Sequence, residues 1–337
     1  MTAMFGRLVI LLAGFAVSGI LATSANAQQF TMKLSAPTIN DVHHEFFKRL
    51  KAGIDGRSGG RIKVEIYPAN QLGQIPTVVE GVALGTIEVG AAASGFFVSL
   101  EPRFQVLDAP GLFDSIQHAN KVLLDPAIQA RLATWGADKG IEMLTAGVYS
   151  PFVFVSHKAV RTVADFQGQK VRTTGGAPIQ VEPFRKLGIL PVSIPLGEAL
   201  PAMQNRTIDA MISAPTVFTV FKYYDFVKAM TYLPRTTLLA PAIANRRWLK
   251  SLGPELEAIV RDEARKAEAV YGDWNAEDIK KGIEIWQKNG GEVITMSDAE
   301  AKRYLDIVMP VAAQVLSATP KVKEDYDALL AAAQKHR

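Results

Sequence analysis

The sequence predicts an α/β protein built as two lobes, on three observations. From Phe30 onward, short apolar strand patterns alternate with amphipathic helical ones, which points to strands and helices packed in layers. Gly or Pro punctuates many of the junctions, as at Pro37, Gly59-Gly60, Gly85 and Gly188. About 310 residues follow the apolar N-terminal stretch, more than one typical domain holds.

Phe30 to Ala36 reads as a strand that stops at Pro37. Phe46, Phe47, Leu50 and Ile54 recur at helical spacing, so Val42 to Ile54 is expected to be a helix. Arg61 to Tyr67 alternates Ile62, Val64 and Ile66 with charged residues, the pattern of a strand with one wet face. Pro76 to Leu84 reads as a helix stopped by Gly85. Ile87 to Ala93 is a strand of small side chains, suited to close packing or to the close approach of a ligand.

The second half continues in the same style. Thr162 to Phe166 reads as a helical turn, and Lys170 to Thr173 as a strand running into Gly175-Gly176. Val181 to Leu187 is a helix, Pro191 to Ile194 a strand, Leu196 to Asn205 a helix and Ile208 to Ile212 a strand. This order predicts largely parallel sheets, whose ligands sit beyond the carboxyl ends of the strands. A helix capped by Ser251, with Pro254 in its first turn, is expected to run to Asn289-Gly290-Gly291. At roughly 50 Å it would cross both lobes, with Gly272 and Gly282 as points of bending. Ser297 to Lys335 reads as helical cover.

The first 27 residues form a signal-peptide pattern. Arg7 is their one charge, an apolar run follows from Leu8 to Leu21, and Ala25-Asn26-Ala27 offers a cleavage site. The run is shorter than the roughly 20 residues of a membrane span. Cleavage after Ala27 and export are therefore expected. There is no cysteine, hence no disulfide and no lipid anchored on a cysteine. At 48% hydrophobic and 21% charged the chain is ordinarily globular. Its net charge of +4 is spread without a basic block, which argues against a nucleic-acid partner. Gly-x-Ser-x-Gly, His-Glu-x-x-His and P-loop motifs are all missing. None of the five histidines stands at a known catalytic spacing, so little favours an enzyme.

Four segments in order carry a family likeness: SGGRIKVEIYPANQLG at Ser58 to Gly73, VEGVALGTIEVG at Val79 to Gly90, Val163 to Asp209 with its ADFQGQKVR, and NRRWLKSL at Asn245 to Leu252. Together they resemble the solute-binding subunit of tripartite ATP-independent periplasmic (TRAP) transporters, of the C4-dicarboxylate-binding, DctP-like type. The resemblance implies a type II, Venus-flytrap fold with a long helix spanning both lobes. The lobes would be residues 28–149 with 238–277, and 150–237 with 278–337. It implies hinge closure over one small organic carboxylate, and no cofactor. It also implies a monomer that hands its ligand, in the periplasm, to small and large permease subunits driven by a sodium gradient.

Arg172 is the leading site candidate. It ends a strand before Gly175 and Gly176, which let a ligand approach the backbone. Its planar guanidinium matches two carboxylate oxygens and stays charged, and the family's carboxylate-clamping arginine falls at this position. By the same resemblance, Phe152 stands where sialic-acid-binding members carry a second arginine. Ala93 replaces an acidic residue beside Ser94, and Phe96 stands near another arginine. Leu196 replaces an aromatic, and Met211 and Ser213 fall in a segment otherwise rich in amides and acids. Buried hydroxyls and second carboxylates would lack partners there, at about 1–3 kcal/mol each. The expected ligand is therefore a monocarboxylate with an apolar or aromatic body, near Phe96, Phe152, Leu196 and Phe218. Ser213 would donate to the acid, and Gln71 could face the cleft. The same apolar residues suit a packed core equally well. Glu198 is expected to cap its helix or orient Arg172. His43 and His44 open a helix and diverge by about 100°, with His43 a minor candidate for ligand contact. A ligand-presenting sensor component and a periplasmic hydrolase or isomerase are the alternative functions.

Overall fold

The computed structural model describes residues 29–337; the signal-peptide segment lies outside them. The first half of the chain runs β1 (Phe30–Ser35), α1 (Val42–Arg57), β2 (Ile62–Tyr67), α2 (Ile75–Leu84) and β3 (Val89–Ala91). After 3-10 turns at Ser94–Phe96 and Pro102–Asp108 come α3 (Ile116–Leu123), α4 (Pro126–Leu132) and β4 (Ile141–Thr145). Then follow β5 (Val148–Ser156), β6 (Lys170–Thr173), α5 (Pro178–Lys186), β7 (Leu190–Ser193), α6 (Leu196–Gln204), β8 (Ala210–Ser213) and α7 (Pro215–Val220). The chain ends with β9 (Ala229–Leu239), β10 (Ala242–Asn245), α8 (Arg246–Ser251), α9 (Gly253–Ala267), α10 (Asp273–Lys288), β11 (Glu292–Ile294), α11 (Asp298–Ser317) and α12 (Pro320–Lys335).

Local chemistry accounts for these boundaries. Asp41 caps α1 by accepting from the His44 amide, and the helix buries Phe46, Phe47, Leu50 and Ile54. Gly85 ends α2 in the left-handed conformation, φ 86°. Thr162 and Asp165 form a capping box at the helical turn before β6.

Two mixed sheets result. The first has the order β2-β1-β3-β10-β4, and the second β11-β9-β5-β8-β6-β7. The β2-β1-β3 and β8-β6-β7 runs are parallel, as the β-α alternation predicts. β10 and β5 are antiparallel to their neighbours. They do not belong to β-α-β units: the chain passes from β4 straight into β5 and from β9 straight into β10. These two passages lie side by side, with Ala240 N donating to Gly147 O at 2.7 Å, and they join the sheets.

The expected long helix is present as two. Ser251 closes α8 instead of capping a new helix, and Gly253, at φ 75°, redirects the chain into α9. A 3-10 turn at Glu268–Tyr271 and Gly272 at ψ −123° then separate α9 from α10. Gly272 takes a conformation no helix continues through. Gly282 stays helical, lying against Thr216 of α7. α9 packs on α1 and α10 on α7, so the helical run still spans both halves. α11 covers α5, and α12 lies on α3 and α4. Among the described residues no helix is long and apolar enough to cross a membrane.

Candidate functional site

The carboxyl ends of β6 and β8 face α1, α2 and the Ser94–Phe96 turn across a small cavity. Its volume is about 40 Å³, and Thr38, His43, Ala93, Phe96, Tyr149, Arg172, Thr174, Leu196, Ser213 and Leu238 are among its lining. Arg172 holds the middle of the second sheet's parallel run, level with Val192 on β7 and Met211 on β8. The side chain is 1% exposed. Its Nε donates to the Ile194 carbonyl at 3.1 Å, and its guanidinium carbon sits 5.6 Å from the centre of the Phe96 ring. Nη2 is buried without a partner. Among the described residues no carboxylate lies within ion-pair distance of it. Burial pushes its pKa down to about 10, against the opposing effect of the Tyr223 phenol. At neutral pH it remains a cation.

The opposite wall is rigidly built. Tyr149 donates to Asp41 Oδ2 at 2.5 Å, and its ring meets His43 edge-on with 5.0 Å between centroids. His43 Nε2 lies 2.8 Å from the Ala240 carbonyl. A carbonyl only accepts, so the ring proton is on Nε2.

Beside the cavity the two halves touch through backbone. A Cβ on Gly175, itself at φ 90°, would fall 2.5 Å from the Gly95 carbonyl, and a Cβ on Gly95 would strike the Thr174 carbonyl. A buried polar bridge reinforces this seam. Gln180 Nε2 donates to Asp108 Oδ2 at 2.9 Å, and Gln180 Oε1 accepts from the Thr174 amide at 2.9 Å. Ser94 Oγ bonds to Asp108 Oδ1 and reaches the Leu239 carbonyl at 3.1 Å. Outside it, a groove of about 450 Å³ between α2 and the start of α6 shares the Phe96 wall.

Arg172, Phe96, Leu196 and Ser213 thus meet at one cavity, with Gly175 at the groove beside it. The other expected residues lie elsewhere. Phe152 lines a separate small void with Asp108 and Tyr304. Met211 is fully buried, its sulfur 3.6 Å from the Tyr223 hydroxyl. Phe218 packs edge-on against Tyr223 and Trp286. Ser94 is taken up by the Asp108 bridge, Gln71 is exposed in its turn, and Glu198 is exposed on α6 whereas Arg172 is buried. Tyr149 and Thr38 were absent from the expectation. Neither sits in a motif, and both reach the cavity only because β5 and the loop after β1 meet there. Among the described residues no group of three or more His, Asp and Glu side chains is placed to hold a metal ion.

The comparisons agree with this architecture. The family model for "bacterial extracellular solute-binding protein, family 7" (DctP) matches residues 35–318. The chain is 28% identical over 326 residues to the 2,3-diketo-L-gulonate-binding periplasmic protein YiaO of Escherichia coli, covering 93% of this chain and 97% of that one. It resembles a TRAP periplasmic solute-binding protein from Desulfovibrio salexigens with bound orotic acid, at TM-score 0.86 and 20% identity, over 92% and 100% of the two chains. A TRAP periplasmic solute-binding protein from Bordetella bronchispeptica, with density assigned to pantoate, matches at TM-score 0.81 and 25% identity, over 89% and 99%.

Proposed function

Since the chain belongs to the family 7 (DctP) bacterial extracellular solute-binding proteins, we propose that it binds a small organic monocarboxylate on Arg172, with the ligand's apolar body against Phe96 and Leu196. It is a periplasmic binding protein of the TRAP type, not an enzyme, and proteins of this type bind small organic acids and work with membrane permease subunits. The observation that carries the finer reading is the bare Nη2 of a fully buried guanidinium at a cavity wall. An unpaired buried charge costs several kcal/mol, and a ligand carboxylate removes that cost. Ser213 supplies a second donor, and Val217, Leu238 and Leu196 supply apolar wall.

The cavity is much smaller than the ~300 Å³ or more usual for an organic ligand. In this reading the ligand enters from the outer groove and the Phe96 wall shifts outward to admit it. The halves separate about the two strand passages near Gly147 and Ala240. The lobes comprise residues 28–149 with 238–277 and 150–237 with 278–337, α12 reaching back to α3 and α4. The mature protein starts at Gln28 and acts as a monomer.

Orotic acid and pantoate, named with two similar structures, both carry a carboxyl group. Native mass spectrometry of the protein as purified tests the proposal. The retained compound is expected to be a single acid of one carboxyl group. A retained compound with no acid group would refute it.

A further inference from the structure

We propose that His43 Nδ1 is a specificity-determining acceptor that selects carboxylates bearing an O–H or N–H donor on the carbon next to the acid group, or one bond further. This rests on the Arg172 reading and names what else the ligand carries. His43 is 1% exposed and lines the same cavity as Arg172. Its tautomer is set by the Ala240 carbonyl, which takes the Nε2 proton at 2.8 Å. Tyr149 holds the ring from the side. Nδ1 then presents a lone pair, buried and without a partner. Burial keeps the imidazole neutral by lowering its pKa, outweighing nearby Asp41.

The cavity therefore offers an unfilled cationic donor and an unfilled neutral acceptor, and the Thr38 hydroxyl on the same wall is likewise buried without a partner. A plain carboxylate satisfies the first and sets an oxygen lone pair against the second. An acid with an adjacent hydroxyl or N–H satisfies both. Because Arg172 and His43 line one cavity, the two ligand groups must lie close together. The Thr38 and Ser213 hydroxyls aside, much of the remaining wall is apolar, so the further hydroxyls of a polyhydroxylated acid would face Leu196, Val217 and Leu238.

The test is calorimetry on matched pairs, 2-hydroxy acids against their deoxy counterparts, with both aliphatic and aromatic bodies: 2-hydroxy-3-methylbutanoate against 3-methylbutanoate, and mandelate against phenylacetate. The hydroxy acid is expected to bind at least tenfold more tightly in the wild type. In His43→Phe, which keeps a ring against Tyr149, the ratio should fall to within about twofold without loss of affinity for the deoxy acid. Should His43→Phe fail to fold, the wild-type ratio still decides. Equal affinities within the pairs, an unchanged ratio in His43→Phe, or no binding by either hydroxy acid overturns the assignment. So does a deoxy acid whose affinity for Asp108→Asn rises as pH falls, because His43 would then act as a cationic donor. Arg172→Ala separates the two readings. Loss of both members of a pair supports the clamp, whereas retention of both with the hydroxy preference intact defeats the clamp and leaves His43 standing.

Discussion

Arg172 sits in a position that a stability argument alone would not choose. Its guanidinium is stripped of water, bonded through Nε to one carbonyl, and faced by an aromatic ring instead of a carboxylate. The Phe96 face offers roughly 1 kcal/mol or somewhat more, well short of the desolvation cost of a buried charge. The unliganded protein should therefore gain from losing the charge. Arg172→Met, similar in reach and apolar, is expected to stabilise the ligand-free protein by about 1–3 kcal/mol, a rise of a few degrees in Tm by differential scanning calorimetry. It should at the same time abolish the further rise that added ligand produces in the wild type. A lower Tm in the ligand-free variant would mean that the arginine is a structural strut. Its place at the end of a strand before two glycines is legible in the sequence. What is not legible is which apolar neighbours share its cavity. Phe96 and Phe218 have the same chemistry, yet one caps the guanidinium and the other packs on Trp286.

At the scale of elements, the seam between the turn at Ser94–Phe96 and the loop after β6 combines close backbone contact with a titrating bridge. Asp108 is buried without a cation, and burial pushes its pKa from 3.8 up to about 7, against the hydrogen bonds from Ser94 and Gln180. Proton counting agrees. Ser94 has one proton, but its Oγ contacts both Asp108 Oδ1 and the Leu239 carbonyl. If Asp108 is protonated it donates to Ser94, which then donates to Leu239, and every group is satisfied. The folded, closed seam thus binds the proton more tightly than a solvated Asp108 does. Its contribution is fully present below 3.8 and is lost as pH rises through about 7. Ligand affinity should accordingly weaken between pH 5.5 and 8. Asp108→Asn, whose amide donates to Ser94 and accepts from Gln180, should bind with little pH dependence across that range. A wild-type affinity that is flat with pH, or a variant as pH-sensitive as the wild type, would contradict this role. This seam is invisible in the sequence because its members are spread from Ser94 to Leu239.

At the scale of the molecule, the strongly periodic elements are legible and the connecting ones are not. β1, β2, α1 and α2 lie close to where spacing and Gly or Pro signals put them, because each buries one face on its own lobe. The strands that join the lobes carry bulges at Val148/Ser150 and Pro151/Val153, which break the alternation a strand is read by. Asn275 of α10 donates to the Val148 and Tyr149 carbonyls, at 3.1 and 2.9 Å, at the first of these irregularities. One helix thereby ties down the same passage that delivers Tyr149 to the cavity. Motion about this passage would open a seam held mainly by backbone contacts and the Asp108 bridge, and an acid on Arg172 would hold it closed.

Isothermal titration calorimetry of the retained acid, with its binding measured on the wild type and on Arg172→Ala, tests that account most directly. Leaving a carboxylate in the closed cavity without its cation should cost about 3 kcal/mol or more, a loss of affinity greater than a hundredfold. An alanine variant that binds the acid within threefold of the wild type would contradict it.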